Sequence, residues 1–402
     1  MAITIQQEPQ KFTPAGNPVV WTFESDQTAQ PNFCFIVELY LFGNLYSTHQ
    51  VFPQFGVLSR FNASEALKSF LSSPLIINGT LITDYTTAIT NAWIIVYEKY
   101  GTPPAIAASA TSATKKTFNA ALRHPEFINW NYLDYNISRL NLIAPVKFLT
   151  SWPRTRKAFC GLNQSFFLGF ISDRKISIEV EFALYDATNT LITVYTFAPG
   201  PAFFQDLSII DASPNTIIAN TTITVANFSA AAYYEVRAYD TGVGINPGST
   251  ESFRIYIDNE CHRYPTRRLH WLNKFGVWDS FTFTLVSTES TKVNGSTYER
   301  ESGVWNLTNY TYPLYQGEMT TFSKRAEDTM VLNSDWIYQD VQQWLVRELY
   351  ESPNVYLEAS TGAFEPVNVT NQGYDLKQSR KDGLIMETIE IKKTYSYNSQ
   401  LN

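Results

Sequence analysis

The stretch Ile176-Ser-Ile-Glu-Val-Glu-Phe-Ala-Leu-Tyr185 carries Ile176, Ile178, Val180, Phe182 and Leu184 at every second position, with Ser177, Glu179 and Glu181 between them. Successive side chains of an extended backbone point to opposite faces, so this spacing gathers the apolar set on one side and predicts a half-buried strand. The alternation recurs in Phe253, Ile255 and Ile257 against Arg254, Tyr256 and Asp258, and again in Phe281, Phe283 and Leu285. Phe33–Phe42 is apolar on nearly both faces, as a central strand covered on both sides would be. From Asn189 to Asp258 strand-like segments return about every 10–15 residues, separated by turn signals such as Ala198-Pro-Gly-Pro201 and Ser213-Pro-Asn215. The pattern predicts a mainly β chain of several antiparallel β-sandwich modules, Ig-like or jelly-roll-like, with a few helices.

Two helices are expected. Asn62-Ala-Ser-Glu65 sets a cap residue three places before a glutamate, Leu67, Phe70 and Leu71 follow as an apolar stripe, and Ser-Ser-Pro74 stops the run. The second helix is predicted over 335–351, capped by Asn333 or Ser334 and ended before Pro353. Its stripe of Ile337, Val341, Trp344, Leu345 and Leu349 has helical spacing and reads as core. The expected organisation is an N-terminal β domain with one helix over 1–101, a linker or bridging region over 102–159, a second β-sandwich over 160–286, and a C-terminal region over 287–402 with the long helix and terminal strands. Gly101-Thr-Pro-Pro104 and the small residues after it read as an exposed connection.

Of the 402 residues 44% are hydrophobic and 15% aromatic, while only 17% are charged. Such a chain can pack cores and is not a disordered polar protein. Low charge also suggests that much of its surface ends against other protein. A net charge of -7 lacks the excess of cations that general nucleic-acid binding requires. Cys34, Cys160 and Cys261 are far apart and odd in number, so neither a disulfide framework nor a CxxC zinc site is readable. The opening MAITIQQEPQKF has no signal-peptide pattern, and the apolar run Ala92–Tyr97 is too short to span a bilayer. Synthesis in a cytoplasm without membrane insertion is expected.

Chemistry-bearing motifs are sparse. The four histidines, His49, His124, His262 and His270, show no metal-ligand spacing, and HExxH, GxSxG and Walker patterns do not occur. Asp240-Thr-Gly-Val-Gly-Ile-Asn-Pro-Gly248 is glycine-rich but is followed by no helix to hold a phosphate, so it reads as a hairpin loop. Glu179 and Glu181 could mimic a glycosidase pair, yet they share the solvent side of one strand. No catalytic residue, metal ligand or cofactor is therefore expected. One basic tract stands out, Cys261–Lys274, with Arg263, Arg267, Arg268 and Lys274; a second cluster is Arg154, Arg156 and Lys157. These seven are candidates for contact with an acidic partner or DNA, against the alternative of ion pairing within or between subunits.

Five segments carry a resemblance. They are Glu8-Pro-Gln-Lys-Phe-Thr-Pro-Ala-Gly-Asn-Pro-Val-Val-Trp-Thr-Phe-Glu-Ser25, Asn32-Phe-Cys-Phe-Ile-Val-Glu-Leu-Tyr40, Phe148-Leu-Thr-Ser-Trp-Pro-Arg-Thr-Arg-Lys157, Trp271-Leu-Asn-Lys-Phe-Gly-Val-Trp-Asp-Ser-Phe-Thr-Phe283 and Trp344-Leu-Val-Arg-Glu-Leu-Tyr-Glu-Ser-Pro-Asn-Val-Tyr-Leu357. Together they resemble virion proteins of tailed bacteriophages of Bacteroidota, including crAss-like phages. The Gly-Gly usual before the hairpin aspartate is here Gly276-Val-Trp278. The resemblance implies a structural tail or neck component, of ring or baseplate type.

The expected function is thus a virion structural protein, a ring- or collar-forming subunit of the tail, neck or baseplate that helps build the DNA conduit. Its partners would be copies of itself, other tail, neck or portal-proximal proteins and, transiently, packaged DNA, which a negative chain would let slide. Trp271, Phe275 and Trp278 on the hairpin, with Tyr264, are the candidate anchors for a neighbouring subunit; packing inside their own domain is the alternative. A receptor- or glycan-binding tail protein and a glycan-degrading tail enzyme are the rival readings.

Overall fold

A computed structural model of the chain describes residues 3–54, 56–138, 145–199, 204–241, 248–315, 317–359, 362–371, 373–378 and 383–398. Gly200 and Pro201 of the turn Ala198-Pro-Gly-Pro201 and the centre of the glycine-rich loop after Asp240 lie outside the described residues. The chain is mainly β, with 48% strand and 11% helix, arranged as several antiparallel sheets. Among the described residues no helix is long and apolar enough to cross a membrane. Two compact units emerge, Met1–Asn259 with Leu272–Ser280, and Glu260–Trp271 with Phe281–Asn402.

The first unit holds two sandwiches. In the first, the sheet Thr4–Gln7, Val20–Glu24, Leu58–Asn62 faces one of order Phe12–Pro14, Lys115–Phe118, Ile89–Tyr100, Cys34–Leu41, Asn44–Val51. Trp21, Phe23 and Phe61 on one side and Phe35, Val37, Leu39, Ile94 and Val96 on the other form its core. Cys34–Leu41 is central, as expected, but only Phe35, Val37, Leu39 and Leu41 of its alternating positions are fully buried, and Ile36, Glu38 and Tyr40 stay half-exposed. Its outer face is polar enough to need no second cover. Residues expected to form a connection are strands instead: Ala105–Thr111 pairs with Ile89–Tyr100, and Lys115–Phe118 lies between that strand and Phe12–Pro14. The small Ala/Ser/Thr side chains that suggested a linker are simply those of an exposed edge strand.

In the second sandwich the predicted strands close the core. Ile178–Tyr185 is flanked by Leu191–Phe197 and Tyr233–Asp240, followed by Phe253–Ile257 and Ala158–Cys160. Ile178, Val180, Phe182 and Leu184 point inward with Val236, Ala238, Phe253 and Ile255, toward Leu168, Phe170 and Ile210 of the opposing sheet Phe167–Ile176, Phe204–Asp211, Ile82–Asp84. Ser213-Pro-Asn215 is not a strand-to-strand turn. Pro214 occupies the first position of the helix Pro214–Asn220, where its missing N–H costs nothing, and Val225–Ala230 follows with Thr224 and Asn227 capping one another.

The second unit is built around a sheet of order Arg267–Leu272, Val355–Glu358, Phe364–Val369, Thr388–Asn398, Met319–Asn333, Thr288–Glu299. The long helix is shorter than predicted, Gln339–Glu351, and starts after Tyr338. Ile337–Tyr338 pairs with Leu384–Ile385, and Ser334 exchanges hydrogen bonds with Glu387, so both expected cap residues serve strands instead. Val341, Trp344, Leu345 and Leu349 are buried as the stripe requires. The first helix is likewise reduced to Ser64–Lys68, with Asn62 accepting from Ser64 N; Leu67 is buried, but Phe70 is exposed.

Candidate assembly surface

The strands Thr288–Glu299 and Met319–Asn333 pair from Thr288↔Val331 to Glu299↔Met319, with a bulge between Ser296 and Thr297. All twelve residues of the first strand are exposed, so both its faces are uncovered. The third strand, Thr388–Asn398, reaches only to Arg325; beyond it the pair continues as a two-stranded arm. Polar cross-strand pairs hold the base, Ser290 Oγ to Thr329 Oγ1 at 2.7 Å and Thr291 Oγ1 to Asp328 at 2.6 Å. Lys392 Nζ sits 2.8 Å from Glu327, whose carboxyl is held below its usual value by that hydrogen bond.

At the tip the chemistry changes. Arg300 N donates to the carbonyl of Glu318 at 2.9 Å and closes a small hairpin, Val304–Trp305 against Tyr310–Thr311. Its turn is organised by Asn306, whose Oδ1 accepts from Thr308 N and Asn309 N. Leu307 takes the left-handed region at φ 76. From Ser302 to Gly317 there is no Asp, Glu, Lys or Arg. Leu314 is fully exposed, and Leu307, Tyr315, Tyr312 and Trp305 are 88%, 84%, 74% and 61% exposed. At roughly 150–250 Å² for a whole aromatic side chain, Trp305, Tyr312 and Tyr315 alone expose on the order of 400 Å², and the two leucines add to it. Sequence reasoning passed over this segment; its legible sign was a run of aromatics and leucines with no charge.

The expected anchors lie elsewhere. Trp271 and Trp278 are 0% and 2% exposed and Phe275 is buried, so these three are core residues and not subunit anchors. The hairpin tip is clamped inside the first unit. Trp278 Nε1 donates to Tyr85 Oη at 3.2 Å, Asn273 Nδ2 to the Leu149 carbonyl at 3.0 Å, and Thr150 Oγ1 to Asp279 at 3.0 Å. Phe275 meets the rings of Tyr135 and Trp130 at 5.3 and 6.2 Å, and burial pushes the Tyr135 phenol up to about 12. In the second unit Trp271 packs on Trp344 at 5.1 Å. Tyr264 is half-buried, with the Arg263 guanidinium 5.5 Å from its ring centre.

Four of the seven basic candidates are engaged in ion pairs within the chain. Arg268 is buried and pairs with Glu358, which also lies 2.9 Å from His270 Nε2, so it cannot reach DNA or an external acidic partner. Lys274 pairs with Glu126 at 2.8 Å, Arg267 with Glu289 at 3.4 Å, and Arg154 grips Glu251 through Nε and Nη2 at 2.6–3.0 Å. Lys157 lies over the Tyr256 ring at 4.7 Å, and the Arg156 carbonyl accepts from Trp152 Nε1. Only Arg263 of the tract is both exposed and without an ion pair among the described residues.

Across the outer face of the second sandwich run Tyr185, Tyr233, Tyr256 and Phe159, with successive ring centres 5.1, 5.4 and 5.8 Å apart. The rings lean on one another, and Arg254 and Lys157 cover Tyr233 and Tyr256. One face of Tyr233 and one of Tyr256 are thereby occupied, while Phe159 at the end of the row stays exposed. Glu179 and Glu181 share this face, and Glu181 accepts from Tyr239 Oη at 3.3 Å. Among the described residues no group of three His, Cys, Asp or Glu is placed to hold a metal ion.

No protein-family model matches the chain, and no curated protein does either.

Proposed function

We propose that this chain is a structural subunit of the virion of a tailed bacteriophage, several copies of which form a ring or collar in the tail, neck or baseplate around the DNA conduit. The observation that carries the reading is the arm: an uncharged apolar tip on a ribbon exposed on both faces. In a chain that acts alone such a surface is a liability, and in an assembling subunit it is the contact. Three further features support it. The five segments resemble tail and neck proteins of Bacteroidota phages, the pre-folded sandwiches offer rigid modules to stack, and the net charge of -7 repels DNA phosphates. Four of the seven candidate basic side chains are held in ion pairs within the chain and offer little to a passing duplex. The role is mechanical: neighbouring copies and adjacent tail proteins are the partners, and the chemistry is that of burying apolar surface.

Immunogold electron microscopy of purified particles, with antibody against this chain, tests the reading. Label at the tail or neck is the expected result. Label confined to fibre tips would favour receptor binding instead, and particles lacking the protein would overturn the assignment.

A further inference from the structure

Resting on that reading, we propose that the arm tip of one copy is received by the exposed edge strand Asn44–Val51 of a second copy, a head-to-tail contact that repeats around the assembly. The strand ends its sheet, pairing only with Cys34–Leu41 among the described residues, so one row of its backbone N–H and C=O groups faces outward. Natural edge strands are guarded by charge, proline or bulges. This one has a bulge opposite Leu39/Tyr40, but from Phe42 to Val57 there is no Asp, Glu, Lys or Arg. Around it Phe42, Leu45, Tyr46, Phe52 and Val57 are exposed, and Phe70 stands against Tyr46 with ring centres 5.0 Å apart.

The two surfaces share a backbone feature. Five non-glycine residues have positive φ among those described: Asn32, Asn189, Asp206, Phe42 and Leu307. The first three belong to the residue types that tolerate the left-handed region. Phe42 and Leu307 do not, and strain of this kind persists where the displayed side chain has a use. Phe42 stands in the turn entering the edge strand and Leu307 in the turn of the arm tip, and both project an apolar side chain into solvent.

Area and symmetry then choose the occupant. The exposed rings of the tip, on the order of 400 Å², with Leu307 and Leu314 beside them, supply a large part of the roughly 800 Å² that each partner contributes to a standard interface. Neither surface carries charge, so the contact desolvates no ions and needs no ionic match. Donor and acceptor are different patches of the same chain, and such a heterologous contact propagates from copy to copy until it closes.

The test is the mass of the purified full-length chain by sedimentation velocity. Three proteins are compared: the unaltered chain, a tip variant (Trp305→Ser, Leu314→Ser) and an edge variant (Leu45→Glu, Phe52→Glu). The unaltered chain should assemble, and each variant alone should be monomeric, with self-association weakened about a hundredfold or more. Each variant keeps the half that the other lacks, so mixing them should give one-to-one dimers and nothing larger. A monomeric unaltered chain, an edge variant that assembles normally, or a mixture that stays monomeric would each overturn the contact. Because all four altered side chains are exposed, unfolding curves should match the parent; if the edge pair unfolds the chain, Phe42→Ser replaces it, with the same outcomes required. Particles that carry label while the chain stays monomeric would sink this contact and leave the virion assignment standing. Assembly of a chain found on no particle would do the reverse.

Discussion

A Cβ placed on Gly276 would overlap the carbonyl oxygen of Asn119. Gly276 also has φ 76, where side chains are strained. The hairpin tip thus seats backbone against backbone, and the neighbouring hydrogen bond from Ala121 N to the Lys274 carbonyl, at 2.9 Å, depends on that approach. Gly276→Ala should lower stability by at least about 2 kcal/mol. Urea unfolding reads it as a lower midpoint at unchanged slope; a loss below about 0.5 kcal/mol would mean that the tip yields without cost.

His270 makes the second unit sensitive to acid. Burial is the main cause that holds its pKa below the ordinary value, the nearby Arg268 cation adds to this, and the Glu358 carboxylate opposes it. The folded state therefore keeps His270 neutral where the unfolded chain, titrating near 6.5, already binds a proton. Its contribution is fully present above about pH 6.5 and is lost as pH falls toward the lower folded value, with a slope of up to about 1.4 kcal/mol per pH unit. Thermal unfolding between pH 8 and pH 5 should show this decline, and His270→Gln should flatten it. A slope that survives the substitution would place the titration elsewhere.

Lys116 and Asp206 join the two sandwiches of the first unit, since Lys116 comes from the sheet of the first and Asp206 from that of the second. Lys11 and Asp173 repeat the link at 3.0 Å. Burial raises the Asp173 carboxyl, but hydrogen bonds from Ser138 and Lys11 outweigh it and hold the group below its usual value. Lys116→Met leaves a mostly buried carboxylate without its cation and should cost about 2–4 kcal/mol by urea unfolding. Asp206→Asn, which also tolerates φ 71, should cost less. Losses below about 0.5 kcal/mol in both variants would show that the charge pair is immaterial.

Two tryptophans should behave oppositely. Trp278→Ala removes a buried ring and its hydrogen bond to Tyr85 and should cost about 3–5 kcal/mol. Trp305→Ala, on the exposed tip, should change monomer stability by less than about 0.5 kcal/mol. Unfolding of both variants side by side decides the matter, and a large loss at Trp305 would mean that the tip folds back onto the chain.

Much of the fold was legible. The alternation in Ile178–Tyr185 and Phe253–Ile257 marks core strands because two residues per repeat is a property of the extended backbone itself. The stripe of Val341, Trp344, Leu345 and Leu349 marks the long helix for the equivalent reason. Short elements were harder. Ser213-Pro-Asn215 serves equally as a turn and as a helix start, and nothing local separates the two; the mutual capping of Thr224 and Asn227 was the available sign. The start of the long helix was misplaced because Ser334 is claimed by Glu387, more than fifty residues away in the chain.

Sequence by itself determined which segments extend or coil and which side of each is apolar, because those follow from backbone period and side-chain chemistry alone. It could not determine which apolar surface remains open. Trp278 and Trp305 both stand beside hairpin turns, yet one meets Tyr85 from 193 positions earlier and the other meets solvent. Burial is decided by what the rest of the chain brings to the same place. The tertiary structure therefore moved the candidate contact from the hairpin at Trp271–Trp278 to the arm at Ser302–Gly317.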